Sequence, residues 1–203
     1  MATPPSRPAL RARYDARRRG LIDQAARVFA QKGYHATSID DLIAATGMTR
    51  GGLYHYTESK RELLLGVLQE LMEPLLRQAG EILEVPAPAE RQLRKLMVVW
   101  LQHVATHIDH MIVFDQERRT LQHEPDWDQL RADRDRFEQI LATLLERGAE
   151  EGSFAIVDPQ IALMMVLGAV NYMPQWLRSS GRLTPAEIAE RYCDLLLDGI
   201  RAR

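Results

Sequence analysis

Between Gly47 and Lys60 the chain reads GMTRGGLYHYTESK. Thr49, Arg50, Tyr54 and His55 supply hydrogen-bond donors of the kind that reach phosphate oxygens and base edges. Gly51 and Gly52 remove the side chains that would keep a backbone away from a duplex. Arg50 is the best candidate for direct readout, because a two-pronged guanidinium matches the O6/N7 edge of guanine. Lys60 follows in the first turn of the next helix, where its ammonium can sit beside another phosphate. The plainer alternative is that these Thr and Tyr residues simply finish turns.

A second constellation is HVATHIDH, in which His103, His107 and His110 stand at i, i+4 and i+7. If one helix carries all three, their imidazoles share a face and, with Asp109 or Glu117 nearby, can bind Zn²⁺ or Ni²⁺; a metal-responsive role is the alternative this spacing raises. Ordinary solvated helix faces also produce it. Trp100, Met111, Phe114, Met164, Met165, Met173 and Trp176 are the types that line an adaptable apolar pocket, with Arg118, Arg119 or Arg178 to meet anionic groups. The same side chains equally fill a core. Enzyme chemistry finds little support: Cys193 has no partner pattern, and neither a nucleophile elbow nor a phosphate-binding glycine loop is present. The carboxylates of residues 126–152 alternate with arginines at helix-face spacing, as on a solvated surface. No cofactor is expected.

Helices must position these residues, since helical periodicity recurs almost throughout and no stretch alternates as a strand does. A first helix is expected from about Arg17 to Lys32, with Leu21, Ile22, Ala25, Ala26 and Phe29 inward and Gly33 as its stop. Ser38 with Asp41 caps a two-turn helix that Gly47 ends. Thr49 caps a third, short helix. Ser59 with Glu62 opens a long helix that Pro74 should kink or end early. The segment EVPAPAE, residues 84–90, is a connector. Beyond it helices are expected at about 89–106, 111–121, 126–152, 158–180 and 184–201. Asp158-Pro159 and Thr184-Pro185 each place a cap before a first-turn proline.

Charge divides along the chain. Residues 1–60 hold ten Lys/Arg and five Asp/Glu, whereas residues 61–203 hold sixteen and twenty-three, within an overall net of −2. Polyanions should prefer the first part. Residues 1–16 are expected as a basic flexible arm, free to lie along phosphates or in a minor groove, or to remain a solvated tail. One cysteine gives no internal disulfide, the longest apolar stretch, Ile161 to Val170, is too short for a membrane span, and the start lacks the apolar region of a secretory signal. A cytoplasmic protein with no membrane partner is expected.

The stretch GLIDQAARVFAQKGYHATSIDDLIAATGMTRGGLYHYTESKRELL, Gly20 to Leu64, resembles the DNA-binding domain of the TetR family of transcriptional regulators. The marks are the Ala-Phe-Gly-Tyr pattern of the first helix, the Thr37/Ser38 cap, the Gly47 turn, Gly52 to Tyr56, and Ser59-Lys60 with Leu63. Tyr56 stands where the family more often shows Phe. The resemblance implies that Thr37 and Ser38 hold phosphates, that Thr49, Arg50, Gly51, Leu53, Tyr54 and His55 enter the major groove, and that Tyr54, His55 and Lys60 clamp the backbone.

Residues 152–200 look like the C-terminal part of members that sense acyl-CoA thioesters, on the Asp158-Pro159 start, Gly168, Asn171, Trp176 and the Gly181 to Thr184 turn. The candidate ligand set is Trp100, His103, His107, Phe114, Met164, Gly168, Asn171 and Trp176. The expected protein is all-α: a three-helix helix-turn-helix domain, residues 17–62, then a six-helix effector-binding and dimerisation domain, residues 63–203. It binds double-stranded operator DNA as a homodimer paired through its last two helices, and a small-molecule effector releases it. An all-α protein-interaction module is the remaining alternative.

Overall fold

The computed structural model describes residues 6–121, 127–156, 158–177 and 181–200. They form ten helices: α1 Pro8–Lys32, α2 Ile39–Thr46, α3 Arg50–Tyr54, α4 Lys60–Glu84, α5 Ala89–Thr106, α6 Ile108–Leu121, α7 Asp128–Glu150, α8 Pro159–Asn171, α9 Met173–Trp176 and α10 Pro185–Ile200. No strand occurs among the described residues, so the expected all-α class holds. Among them, no helix is long and apolar enough to cross a membrane. The helices gather into two compact units, residues 1–70 with 109–127, and residues 71–108 with 128–203.

The first unit is built on the expected stripe of α1: Leu21, Ile22, Ala25, Ala26 and Phe29 are all buried, with Leu42, Leu53, Leu64 and Val67 around them. Gly66 lets α4 close on α1, since a Cβ there would stand 3.0 Å from Ile22 Cδ1. α1 starts earlier than expected. Pro8 occupies the first turn, where its missing N–H costs nothing, and the Arg- and Ala-rich run behind it has good helix propensity. Residues 8–16, expected as a flexible arm, are therefore helix, braced by an Arg11–Asp15 pair at 3.1 Å. Tyr14 is buried against His55 and Tyr56.

In the second unit α5 packs against α7 and α10. Leu93, Leu96, Met97, Trp100, Leu101 and Val104 of α5 are buried, as are Phe137, Leu141, Leu144 and Leu145 of α7. Trp100 meets the Phe137 ring edge-on at 4.9 Å. The 84–90 connector is fastened to this unit: buried Gln92 donates to Ile82 O and Val85 O, and Arg147 donates to Gln92 Oε1 and Ala87 O. Glu151 accepts the N–H of Ala89 at the start of α5. At the far end of α7, Gly148 lies under Phe154, whose ring a Cβ would meet at 2.1 Å.

Two prolines behave differently from expectation and from each other. Pro74 sits inside α4, which neither ends there nor breaks before Glu84. The single helix expected over 158–180 does divide: α8 stops at Asn171, Tyr172 takes φ −81°, ψ −10°, and α9 follows as one turn before Leu177 turns extended. Pro174 removes the donor that would bond to the carbonyl of Val170. Residues 178–180, and with them Arg178, lie outside the described set, as does the side chain of Arg119. α10 opens on the expected box, with Thr184 N–H to Glu187 Oε2 at 2.8 Å and Glu187 N–H to Thr184 Oγ1 at 3.3 Å. Its Cys193 is fully buried, and burial pushes the thiol up to about 12.

Candidate nucleic-acid interface and sensor residues

Ser38 Oγ accepts the N–H of Asp41 and the Asp41 carboxylate accepts the N–H of Ser38, which closes the capping box of α2. Lys32 joins at 2.5 Å. The Lys32 ammonium first, then the N–H and hydroxyl of Ser38, hold the Asp41 carboxyl well below the usual carboxylate range. Gly47, at φ 65° and ψ 12°, ends α2 in the left-handed region that glycine enters most easily. Thr49 then caps α3 through Gly52 N–H at 3.1 Å. Every element of this turn is set by a cap that the sequence carries.

The result is one exposed edge. Thr49, Arg50, Gly51, Tyr54 and His55 are all exposed. A Cβ on Gly51 would meet nothing within 4 Å, so its backbone is open to an approaching partner. Arg50 lies 2.5 Å from Asp40 of α2, and both side chains remain largely in solvent. His55 packs edge-on against Tyr56 and Tyr14. A cleft of about 390 Å³ runs beside α3, lined by Arg17, Thr46, Gly47, Met48, Thr49, Gly52, His55 and Tyr56. Arg17 adds a cleft residue that the expected site lacked, and buried Tyr14, which supports His55 from beneath, lies on turns before the expected helix start. The signal for the longer helix is Pro8 followed by helix-forming residues.

Three expected contact residues have other work. Leu53 is fully buried and holds α3 to the core from beneath. Thr37 is buried, and its hydroxyl donates to Gly33 O at 2.7 Å. Lys60 Nζ donates to Tyr34 O at 2.9 Å and Thr37 O at 2.7 Å, and lies 4.5 Å from the Tyr34 ring centre. Its ammonium therefore ties down the loop before α2 and positions Ser38. A cation in the first turn of a helix opposes the helix dipole, which is the sequence signal that this charge is used elsewhere.

The expected ligand set is dispersed. Trp100 is core, whereas Met164, Gly168, Asn171 and Trp176 are exposed, spaced along one side of α8 and α9 with Ile161, Met165 and Tyr172. Phe114, half-buried, and buried Met111 belong to the first unit, while Trp100, Met164, Met165, Met173 and Trp176 belong to the second. The three histidines do not share a helix face. α5 ends at Thr106 and His107 leaves helical geometry at φ −114°, ψ 41°. His103 Nε2 meets Leu71 O at 2.8 Å and His107 Nδ1 meets His103 O at 2.9 Å. Burial, then the neighbouring His107, pull the His103 pKa below its ordinary value. His110 is on α6, in the first unit, near Asp23.

Residues 21–67 match the profile of bacterial regulatory proteins of the tetR family, and residues 86–200 match a tetracyclin repressor-like C-terminal domain. The chain belongs to the TetR family. Members of this TetR family are regulatory proteins rather than enzymes as a rule. The HTH-type transcriptional repressor KstR2 of Rhodococcus jostii is 25% identical over 185 residues, 91% of either chain. The crystal structure of PfmR, a TetR-family transcriptional regulator from Thermus thermophilus, is 33% identical with a TM-score of 0.78, over 90% of this chain and 99% of that one. The crystal structure of AibR in complex with isovaleryl coenzyme A and operator DNA is 25% identical with a TM-score of 0.73, over 89% and 98%. The family match begins at Leu21, so the arginine-rich turns of α1 before it lie outside the matched residues.

Proposed function

We propose that this chain is a cytoplasmic, ligand-responsive transcriptional repressor without enzymatic activity. It binds a palindromic operator as a homodimer and leaves it when a small molecule binds. The observation that carries this reading is the exposed edge of α3, set between two capped turns, with a donor set and an open glycine backbone on one side. In it Thr49, Arg50, Gly51, Tyr54 and His55 face the major groove, Ser38 and the N–H groups at the start of α2 meet a phosphate, and Lys60, Thr37 and Leu53 hold that arrangement in place. Residues 17–62 are the reader, lengthened by α1 from Pro8, and residues 63–203 sense and pair. Two copies pair through the apolar strip of α8 and α9 and through α10, where Ile161, Met164, Tyr172, Trp176 and Leu195 stand exposed.

The effector class proposed is an acyl-CoA thioester or a related lipid or aromatic catabolite. AibR, bound to isovaleryl coenzyme A and operator DNA, supports it. Trp100, His103 and His107 remain the residues to test as ligand contacts, whereas Phe114 belongs to the first unit and Met164, Gly168, Asn171 and Trp176 lie on the strip proposed for pairing. α4, which begins in the first unit and continues into the second, is the natural lever. An effector moves the equilibrium between DNA-fitting and released states only by its differential affinity for them. A footprint on the promoter beside the chain's own gene should show salt-sensitive protection of a near-palindrome, lifted by one member of an acyl-CoA panel. Protection that no thioester, free acid or aromatic lifts would remove the effector class and leave the repressor. Absence of any protected palindrome would remove both.

A further inference from the structure

The histidine on α6 that the turn at His107 separates from its two neighbours has a different set of companions. His110 is 4% exposed, and its Nε2 stands 3.5 Å from Asp23 Oδ1 of α1, longer than a good hydrogen bond. A carboxylate oxygen of Glu70, on α4, completes a group of three ligand atoms that all lie within 4.8 Å of one another. All three residues belong to the first unit.

We propose that Asp23, Glu70 and His110 form a binding site for a divalent transition-metal ion of the Zn²⁺ or Mn²⁺ class. Two ligand atoms held on one ion by bonds of about 2.1 Å at tetrahedral or octahedral angles are separated by about 3.0–3.4 Å. The His110–Asp23 pair at 3.5 Å is already close to that spacing, and the Glu70 oxygen lies within 4.8 Å of both. The donor set fits the charge: two carboxylates balance a divalent cation, and a neutral imidazole nitrogen favours a transition metal over Mg²⁺ or Ca²⁺, which prefer oxygen alone. Asp23 is exposed and His110 is buried, so the ion has an entry side open to water and an inner anchor. Three different helices supply the ligands, which makes the ion a tie among α1, α4 and α6. The two ties from α4 and α6 fall where the chain leaves this unit, after Glu70, and where it returns, at Asp109.

The experiment uses the full chain, purified without a histidine tag and stripped with a chelator, then titrated with ZnSO₄, MnCl₂ and MgCl₂ by calorimetry and thermal shift, with elemental analysis after dialysis. The expected result is one equivalent of Zn²⁺ or Mn²⁺ per chain with a rise in Tm, no response to Mg²⁺, and weaker binding at low pH as the imidazole takes a proton. Asp23→Asn and His110→Ala should each weaken binding by at least about tenfold. Since His110→Ala opens a buried site and can unfold the unit, the exposed Asp23→Asn variant carries the test if it does. A double His103→Gln, His107→Gln variant should bind as the parent does. No stoichiometric ion would overturn the proposal. So would binding unchanged in Asp23→Asn, or lost only in the double variant, since the ion would then lie elsewhere.

Discussion

Arg50 and Asp40 face each other across the turn at 2.5 Å with both side chains in solvent. A pair of that kind contributes about 0–1 kcal/mol, less than the roughly 1–3 kcal/mol that a two-pronged arginine gives in discriminating guanine. Giving up so weak a pair would cost Arg50 little on meeting a base edge. Arg50→Ala should weaken cognate operator binding by about 1–3 kcal/mol and flatten sequence preference in a gel-shift titration; equal affinity would remove Arg50 as a reader. Gly51 offers a sharper case, because open space surrounds the position where a Cβ would be. Gly51→Ala should leave the melting temperature unchanged or raise it, since alanine favours a helix by up to about 1 kcal/mol over glycine, while operator affinity falls. Loss of both would mean that the glycine serves the fold. Lys60→Met tests the opposite assignment: its carbonyl partners lose their donor, so a loss of about 1–3 kcal/mol should appear in thermal melts without any DNA present.

At the level of elements, the sequence was most readable where a helix carried its own stop and start. The capping residues Ser38, Thr49, Asp158 and Thr184 all do the work expected of them, because a cap is a local arrangement between one side chain and the next turn. What depends on distant packing was not readable. Pro74 is carried within α4 while Pro174 accompanies a break, and no local rule separates them. The three histidines keep a helical spacing in the sequence, but the turn at His107 divides them. The same turn gives a pH dependence. His103 is held neutral by burial, so its pKa lies below that of the unfolded imidazole and the unfolded chain binds the extra proton. Its contribution to stability should be complete above the unfolded value of about 6.5 and decline as pH falls below it. His103→Gln should flatten that acid limb in denaturant titrations; an unchanged limb would assign it to other groups. Gly148→Ala should destabilise by about 1–3 kcal/mol, as the added methyl displaces the buried Phe154 ring.

Across the whole molecule, the excess of positive charge in the first 60 residues resides partly on α1 itself, since the segment holding Arg7, Arg11, Arg13 and Arg17 is helix or its cap. The composition exposed that charge, but its form depended on whether Tyr14 found a place to bury. Replacing Arg7 and Arg13 with Ser should lower the slope of log affinity against log salt by about 0.9 for each phosphate that these arginines neutralise, without the loss of packing that deleting residues through Tyr14 would bring. An unchanged slope would place α1's first turns away from the duplex. One buried atom has a practical consequence for such measurements. Cys193 is fully covered and its thiol is pushed up to about 12, so thiolate, the species that reacts, is scarce near neutral pH. The folded chain should behave toward maleimides as though it had no cysteine, which leaves a new cysteine on α3 or α8 free to carry a fluorophore or spin label alone. Slow reaction of Cys193 itself then becomes a clock for the opening of α10.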